Sequence, residues 1–226
     1  MGSKRTLIVN FKNYPAILGA GSVRLARAAE SAAREVGIEV IVAPPVSMIG
    51  VVASSVKIPV FSQRTENAEL GQSTGALIPE AIKAAGADGT ILNHSEAITS
   101  SAELDRLIPR IKSLGLSICL CARTTREVRS LAMHGTGYLA IEPPELIGTG
   151  IAVSEARPEL IKASVRAAKD SGFAGRILCG AGIVEGNDVR KAVDLGVDGI
   201  LVASSVVKAK DWVGKLTELA SPLGRS

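Results

Sequence analysis

The chain has 226 residues, of which 46% are hydrophobic, 3% aromatic and 21% charged. This composition excludes a disordered chain and indicates a globular core built from aliphatic side chains. The formal net charge of +4 comes from lysines and arginines scattered among carboxylates, without a basic block and with few aromatic rings for base stacking. It argues against a nucleic-acid binder and is compatible with a small anionic substrate.

The three cysteines, Cys119, Cys121 and Cys179, cannot all pair, and each lies in an apolar run typical of a buried strand. Reduced, buried thiols are usual in a cytoplasmic protein, and Cys-x-Cys without a further Cys or His nearby is a poor metal site. The chain also starts without a signal-peptide pattern. We therefore expect a cytoplasmic protein with no metal site and with neither a nucleic-acid nor a membrane partner.

One supersecondary unit recurs along the chain. An amphipathic stretch rich in Ala, Lys and Arg ends at a Gly, and an apolar run closed by polar or small residues follows. This order is typical of a helix C-terminus that leads into a buried parallel strand. The predicted strands lie at 7–10, 60–62 and 138–141 and within the runs 39–44, 88–93, 117–121, 176–182 and 198–204. The predicted helices span 23–36, 47–54, 79–85, 102–114, 125–133, 158–171, 186–195 and 211–220.

Eight strand–helix units without a linker predict an α/β protein with a single (β/α)8 barrel, one catalytic domain over residues 1–226. A doubly wound open sheet is the alternative, but it leaves the small-residue loops after the last two strands unexplained. Pro109 lies inside the fourth predicted helix, where we expect it to break or kink the helix.

The active side of such a barrel is formed by the carboxyl ends of its strands. The first strand ends in Asn10-Phe11-Lys12, the fourth in Asn93-His94-Ser95-Glu96 and the sixth in Glu142. Two prolines, an apolar patch and Gly-Thr-Gly follow Glu142 directly, which favours a lid beside a general base. A surface loop with a solvated Glu is the other interpretation of this stretch. Lys12, His94 and Glu142 are predicted to converge.

Several motifs occur in one order along nearly the whole chain. They are NFK at 10–12, STG at 73–75, NHSE at 93–96, IEPPELIGTG at 141–150, CGAG at 179–182 and LVASS at 201–205. Together they resemble the triosephosphate isomerase family, and in particular its compact archaeal branch. The resemblance implies a barrel that interconverts dihydroxyacetone phosphate and D-glyceraldehyde 3-phosphate through an enediolate, without a metal or organic cofactor.

The resemblance also implies residue roles. Glu142 would be the base, His94 a neutral electrophile and Lys12 a source of electrostatic stabilisation, with Glu96 and Thr74 in support. The implied substrate-binding positions are Asn10, Phe11, Lys12, Ile147, Gly148, Gly182, Ala203 and Ser204. The implied lid consists of Pro143, Pro144, Glu145, Leu146, Ile147, Gly148, Thr149 and Gly150. The loops around Gly182 and Ala203 would bind phosphate through backbone N–H groups, since small residues let the backbone approach the ligand.

The segment 64–75 is long for a connection between a strand and a helix, and such loops are commonly functional. By the resemblance, this loop inserts into a neighbouring subunit, so that Thr74 lies near the Asn10 and Lys12 region of the partner. We therefore expect at least a homodimer, and the archaeal resemblance favours a homotetramer. A flexible surface loop is the alternative.

Departures from the family pattern occur at three positions. Ser205 stands where archaeal relatives usually have Gly, so a loop that needs a positive φ or a close backbone approach there would be strained. Arg64 replaces a common His, and Ala97 replaces an Arg or another polar residue. Rival functions are another phosphate-binding barrel, such as a sugar-phosphate epimerase or an aromatic-biosynthesis isomerase, and a barrel kept as a binding module. Such epimerases typically use a metal with several His ligands, whereas this chain has two histidines.

Overall fold

The computed structural model describes residues 4–146, 150 and 152–224. Within these residues, eight parallel strands alternate with ten helices. The strands are β1 Thr6–Asn10, β2 Glu39–Ala43, β3 Phe61–Ser62, β4 Gly89–Leu92, β5 Ser117–Ala122, β6 Tyr138–Ile141, β7 Arg176–Cys179 and β8 Gly199–Val202. The helices are α1 Ala20–Val36, α2 Ile49–Ala53, α3 Pro79–Ala84, α4 Ser101–Ser113, α5 Thr125–Ala132, α6 Val153–Ala156, α7 Pro158–Asp170, α8 Gly186–Asp194, α9 Ser204–Val207 and α10 Trp212–Ala220.

The strands form a barrel. The first strand pairs with β2 on one side and with β8 on the other, and the hydrogen-bonded order continues from β8 down to β3. Between β2 and β3, Val42 forms a parallel bridge with Val60, and its N–H donates to the Pro59 carbonyl over 3.1 Å. The predicted (β/α)8 barrel is confirmed, and the open doubly wound sheet is not formed.

Alternation along the strands divides the apolar residues between two cores. In β1, Leu7 and Val9 pack outward against the helices, whereas Ile8 belongs to the cluster inside the barrel. The interior cluster consists of Ile8, Ile41, Ala43, Phe61, Ile91, Cys119, Cys121, Ala140, Leu178 and Leu201. Cys119 and Cys121 therefore fill the barrel, as their apolar run predicted.

The predicted helices begin and end within a few residues of the expected positions. The α1 helix stops at Gly37, which has a φ of 76° and donates its N–H to the Ala33 carbonyl over 3.0 Å. The α4 helix runs through Pro109 without a break, so the fourth predicted helix is formed despite its interior proline. Pro109 and Asp105 are both exposed, so the carbonyl that loses its N–H partner lies on the solvent side of the helix.

A polar cluster closes the amino end of the barrel. Glu39 accepts hydrogen bonds from the Thr6 hydroxyl over 2.8 Å and from the Tyr138 hydroxyl over 2.9 Å, and it forms an ion pair with Arg176. Burial and the charge of Glu39 raise the pKa of Tyr138. The chemistry predicted at the strand carboxyl ends lies at the opposite end of the barrel.

No helix among the described residues is both long and apolar enough to cross a lipid bilayer.

Candidate active site

Strand alternation directs two residues to the carboxyl end of the barrel interior. Residues two apart on a strand point the same way, so Asn10 continues the direction of Ile8, and Glu142 continues that of Ala140. Asn10 and Glu142 are each 4% exposed. The strand pattern alone therefore buries an amide and a carboxylate at the mouth of the barrel.

The Glu142 carboxylate lies beside the His94 imidazole. Glu142 Oε2 is 3.7 Å from His94 Nε2, which is too long for a hydrogen bond. Among the described residues, this buried oxygen has no hydrogen-bond partner. An unsatisfied buried oxygen is rare and commonly marks a functional group. Glu142 therefore has an oxygen free to accept a proton.

The main chain fixes the protonation state of His94. The N–H of Glu96 donates to Nδ1 of His94 over 3.1 Å. A backbone N–H can only donate, so Nδ1 carries no proton, and the imidazole is neutral with its proton on Nε2. His94 therefore presents an N–H donor on the side that faces Glu142.

Lys12 is held by three contacts. Its N–H donates to Asn10 Oδ1 over 3.0 Å, and its carbonyl accepts from Gln63 Nε2 over 3.0 Å. Its ammonium donates to Glu96 Oε1 over 2.6 Å. The φ of Lys12 is 50°, a conformation that L-residues adopt at a cost of about 1–2 kcal/mol. Asn93, just before His94, has a φ of 58°. Both strained residues lie at the candidate site, as stored backbone strain commonly does.

Gly180 packs directly against Glu142. A Cβ at this position would lie 2.6 Å from both Cγ and Oε1 of Glu142. The sequence prediction assigned the CGAG motif to phosphate and missed this contact. Its signal was the spacing along β7, because Gly180 lies two residues beyond Leu178 and faces the barrel interior.

Two buried thiols border the carboxylate. Interaction with the Cys119 side chain, burial and the charge of Glu142 raise the pKa of the Cys121 thiol. Burial, followed by the charge of Glu142, raises the pKa of Cys179. Both thiols therefore remain protonated at neutral pH and add no negative charge beside Glu142.

A cavity of about 260 Å³, the Glu142 cavity, contains the predicted catalytic groups. Its lining includes the predicted residues Lys12, His94, Glu142, Gly150, Gly182, Ala203 and Ser204. Ala181 and Gly182 each have a φ of 70°, which turns the backbone after β7 into the cavity. The side chains of Tyr14 and Lys208 also contribute, although the sequence analysis did not select them.

Two predicted residues differ from expectation. Phe11 is completely buried in the outer core and does not line the cavity, which gives no support to a substrate contact by its side chain. Ser205 would be strained if the loop needed a positive φ there, but it lies inside the short helix α9 and is not among the described residues with positive φ. The strained small residue is Ala181, whose backbone adopts the left-handed conformation although the residue carries a Cβ.

The start of the predicted lid is anchored. Pro143 is buried, and residues Pro144–Leu146 form one turn of 3-10 helix. Glu145 pairs with Arg157 Nη1 over 3.0 Å. Further along, Gly150 lines the Glu142 cavity. The predicted lid and substrate residues Ile147, Gly148 and Thr149 lie outside the described residues.

A second, wider cavity of about 600 Å³, the Gln63 groove, adjoins the site and shares Lys12 and His94 with it. Thr74, predicted to support the site, does not reach this groove within its own chain and is exposed. The base of the loop that carries Thr74 is paired, because the Glu66 N–H donates to the Leu77 carbonyl over 2.7 Å.

Comparison with known proteins agrees with this geometry. A sequence model described as triosephosphate isomerase matches residues 5–220. The chain is 44% identical to the triosephosphate isomerase of Caldivirga maquilingensis, covering 96% of each chain. It is 40% identical to that of Methanocaldococcus jannaschii, covering 94% of this chain and 97% of the relative. It is also 40% identical to the triosephosphate isomerase of Cenarchaeum symbiosum, covering 99% of this chain and 100% of the relative.

The chain belongs to the triosephosphate isomerase family. The predicted family and its compact archaeal branch are confirmed, since these archaeal relatives align with the chain along nearly their full lengths. The prediction of a triosephosphate isomerase, an enzyme that interconverts an aldose and a ketose phosphate, is confirmed as well. The epimerase and binding-module alternatives are therefore set aside.

Proposed function

We propose that the enzyme interconverts dihydroxyacetone phosphate and D-glyceraldehyde 3-phosphate by proton transfer through an enediolate in the Glu142 cavity. The observation that carries this proposal is the free, buried oxygen of Glu142 beside the neutral imidazole of His94. Glu142 removes a proton from the carbon next to the carbonyl and returns it to the neighbouring carbon. A carboxylate on a rigid strand end has the fixed position that a general base needs.

His94 acts as the electrophile. Its Nε2–H donates to the carbonyl oxygen, which gains negative charge as the carbon loses its proton. Preorganised donors in a water-poor site stabilise such a charge most effectively. His94 gives its Nε2 proton to one oxygen, and the imidazolate left behind takes the hydroxyl proton of the other, so that the hydroxyl and carbonyl exchange places.

Lys12 supplies positive charge next to both the developing oxyanion and the phosphate. Its support comes from Asn10 and Glu96, which hold its backbone and its ammonium. The side chain is 17% exposed, so solvent screens its charge less than that of a surface lysine. The proposed proton transfers use only side chains and backbone groups of this chain.

The phosphate binds to the backbone N–H groups around Gly182, Ala203 and Ser204, which line the same cavity as Lys12. The small side chains and the positive φ of Ala181 and Gly182 support this role, because they leave the backbone open to a ligand. Contacts by Ile147 and Gly148, with closure of the 143–150 lid over the substrate, stay predictions.

We also propose that the chain assembles as a homodimer at least, and as a homotetramer in its complete form. The exposed loop around Thr74 supports this arrangement, and so does the Gln63 groove of about 600 Å³ beside Lys12, where a segment of a second copy would bind. Sedimentation velocity tests this assembly: a fully active monomer would contradict the insertion of the Thr74 loop into a second copy. One catalytic domain over residues 1–226 and a cytoplasmic location remain predictions.

The enediolate route is tested by running the reaction from dihydroxyacetone phosphate in D2O. Proton transfer through a base that exchanges with solvent places deuterium on the carbon that receives the proton. NMR of the glyceraldehyde 3-phosphate formed should detect this label. A product without solvent deuterium throughout the reaction would indicate direct hydride transfer and contradict the proposal.

A further inference from the structure

We propose that Lys208 and Ser205 form a side-chain arm of the phosphate site, added to its backbone donors. This inference rests on the proposed function of the Glu142 cavity. It names a second cationic contact, besides Lys12, for the phosphate of the substrate.

Both residues belong to the cavity. Ser205 lies within α9 and Lys208 follows its last residue, and the two are three positions apart. Side chains at this spacing lie on the same face of a helical turn. Each lines the Glu142 cavity, on the wall where Ala203 and Ser204 also lie. The end of β8 therefore directs a hydroxyl and an ammonium to the predicted phosphate end of the cavity.

The Lys208 ammonium lies over the Tyr14 ring. Its Nζ lies 5.3 Å from the centre of the Tyr14 ring, within the range of a cation–π contact. Among the described residues, no carboxylate forms an ion pair with Lys208, whereas the other cavity lysine, Lys12, is paired with Glu96 over 2.6 Å. Of the two cavity lysines, Lys208 is therefore the one without a carboxylate partner among the described residues.

Ser205 adds an unused donor. Its Oγ is buried and has no hydrogen-bond partner within the described part of the chain. A hydroxyl buried without a partner loses about 1–3 kcal/mol unless a ligand or a water satisfies it. A phosphate oxygen in the adjacent cavity would supply the missing acceptor after rotation about one side-chain bond.

The arm should act on the phosphate and not on the reacting carbons. The test compares Lys208→Gln with Lys210→Gln, which removes the same charge two residues away at an exposed position that does not line the cavity. Each variant is assayed with glyceraldehyde 3-phosphate and with glyceraldehyde, which lacks the phosphate. Inorganic phosphate serves as a competitive inhibitor in the first assay.

For Lys208→Gln, kcat/KM with glyceraldehyde 3-phosphate should fall by about 10- to 100-fold more than kcat/KM with glyceraldehyde, the size expected for a lost hydrogen bond to a charged group. The inhibition constant of inorganic phosphate should rise in parallel. Lys208→Arg should recover part of the loss, and Lys210→Gln should change the two substrates by the same small factor. Tyr14→Leu should lose more than Tyr14→Phe, which keeps the ring under the ammonium.

Equal losses on the two substrates for Lys208→Gln, no loss on either, or an identical effect of Lys210→Gln would overturn the role of Lys208. For Ser205→Ala, inhibition by phosphate unchanged from the wild type would overturn the role of the hydroxyl. A wild-type enzyme without triosephosphate isomerisation would instead contradict the proposed function, and binding of inorganic phosphate would still test the arm separately.

Discussion

The main-chain N–H of Glu96 donates to Nδ1 of His94 across 3.1 Å. The carboxylate of the same residue accepts from the Lys12 ammonium across 2.6 Å. Glu96 thus contacts the proposed electrophile through its backbone and the proposed cation through its side chain. The two contacts are separable by mutation, because a substitution keeps the backbone N–H.

In Glu96→Gln we expect the His94 contact to remain and the ion pair to be lost. Nitrogen-15 NMR should still show a neutral imidazole with the proton on Nε2. The kcat/KM should fall by up to about fivefold, since the Glu96 carboxylate is 59% exposed and exposed pairs contribute about 0.2–1 kcal/mol. A proton on Nδ1 in the variant would show that the side chain, and not the backbone, controls His94.

Gly180→Ala should displace the catalytic base. The new Cβ would lie 2.6 Å from Glu142 Cγ, and the side chain of Glu142 is the part that can move. We expect kcat to fall roughly 10²-fold, the effect of about 1 Å of misplacement at a reacting group. Gly137→Ala is the matched control, because its Cβ would lie 3.9 Å from the nearest atom beyond the adjoining residues, the Ile118 carbonyl oxygen. Equal kcat values in the two variants would show that Glu142 tolerates the contact.

Arg110, which holds the loop 64–75, should make the free energy of unfolding depend on pH. It makes two hydrogen bonds to the Glu80 carboxylate, over 2.9 and 2.8 Å, and donates to the Ala68 carbonyl over 2.7 Å. The hydrogen bonds to Arg110 lower the pKa of Glu80. Since the folded-state pKa is below the unfolded one, this stabilisation is present above the unfolded pKa of Glu and is lost as the pH falls through the folded pKa.

Arg110→Met should therefore lower the free energy of unfolding by about 1 kcal/mol at pH 7 and by less at pH 3, below the unfolded pKa of Glu, where part of this stabilisation is lost. Urea denaturation at one protein concentration measures both values. Arg106→Met, on the exposed face of the same helix, is the control and should change neither. If Arg110→Met loses as much unfolding free energy at pH 3 as at pH 7, the Glu80 ion pair is not the source of the loss.

The strands and long helices were predictable because each unit carries its own local signals. The Gly after α1 and the alternation in β1 fix where the chain turns and which side chains enter the barrel. Glu142 could be selected because it directly follows an apolar strand. The short helices α6 and α9 were missed, since four residues are too few for a periodic pattern to be visible.

The features that sequence patterns did not reveal depend on contacts between distant residues. The strain at Lys12 arises from its links to Asn10 and Gln63, and nothing in NFK alone indicates a positive φ. The contact between Gly180 and Glu142 joins two strands, and the cation–π contact between Tyr14 and Lys208 joins the two ends of the chain. Sequence alone did not show whether the backbone needs a positive φ at Ser205, and the left-handed turn is made at Ala181 instead.

Glu142 is proposed to be the base that moves the carbon-bound proton. The most direct measurement is turnover of both triose phosphates by Glu142→Gln, compared with Glu145→Gln, which changes an exposed carboxylate three residues away. Removal of the base should lower kcat by roughly 10² to 10⁴ or more, while the Glu145 variant retains far more of its activity. A correctly folded Glu142→Gln enzyme with the turnover of the wild type would contradict the account.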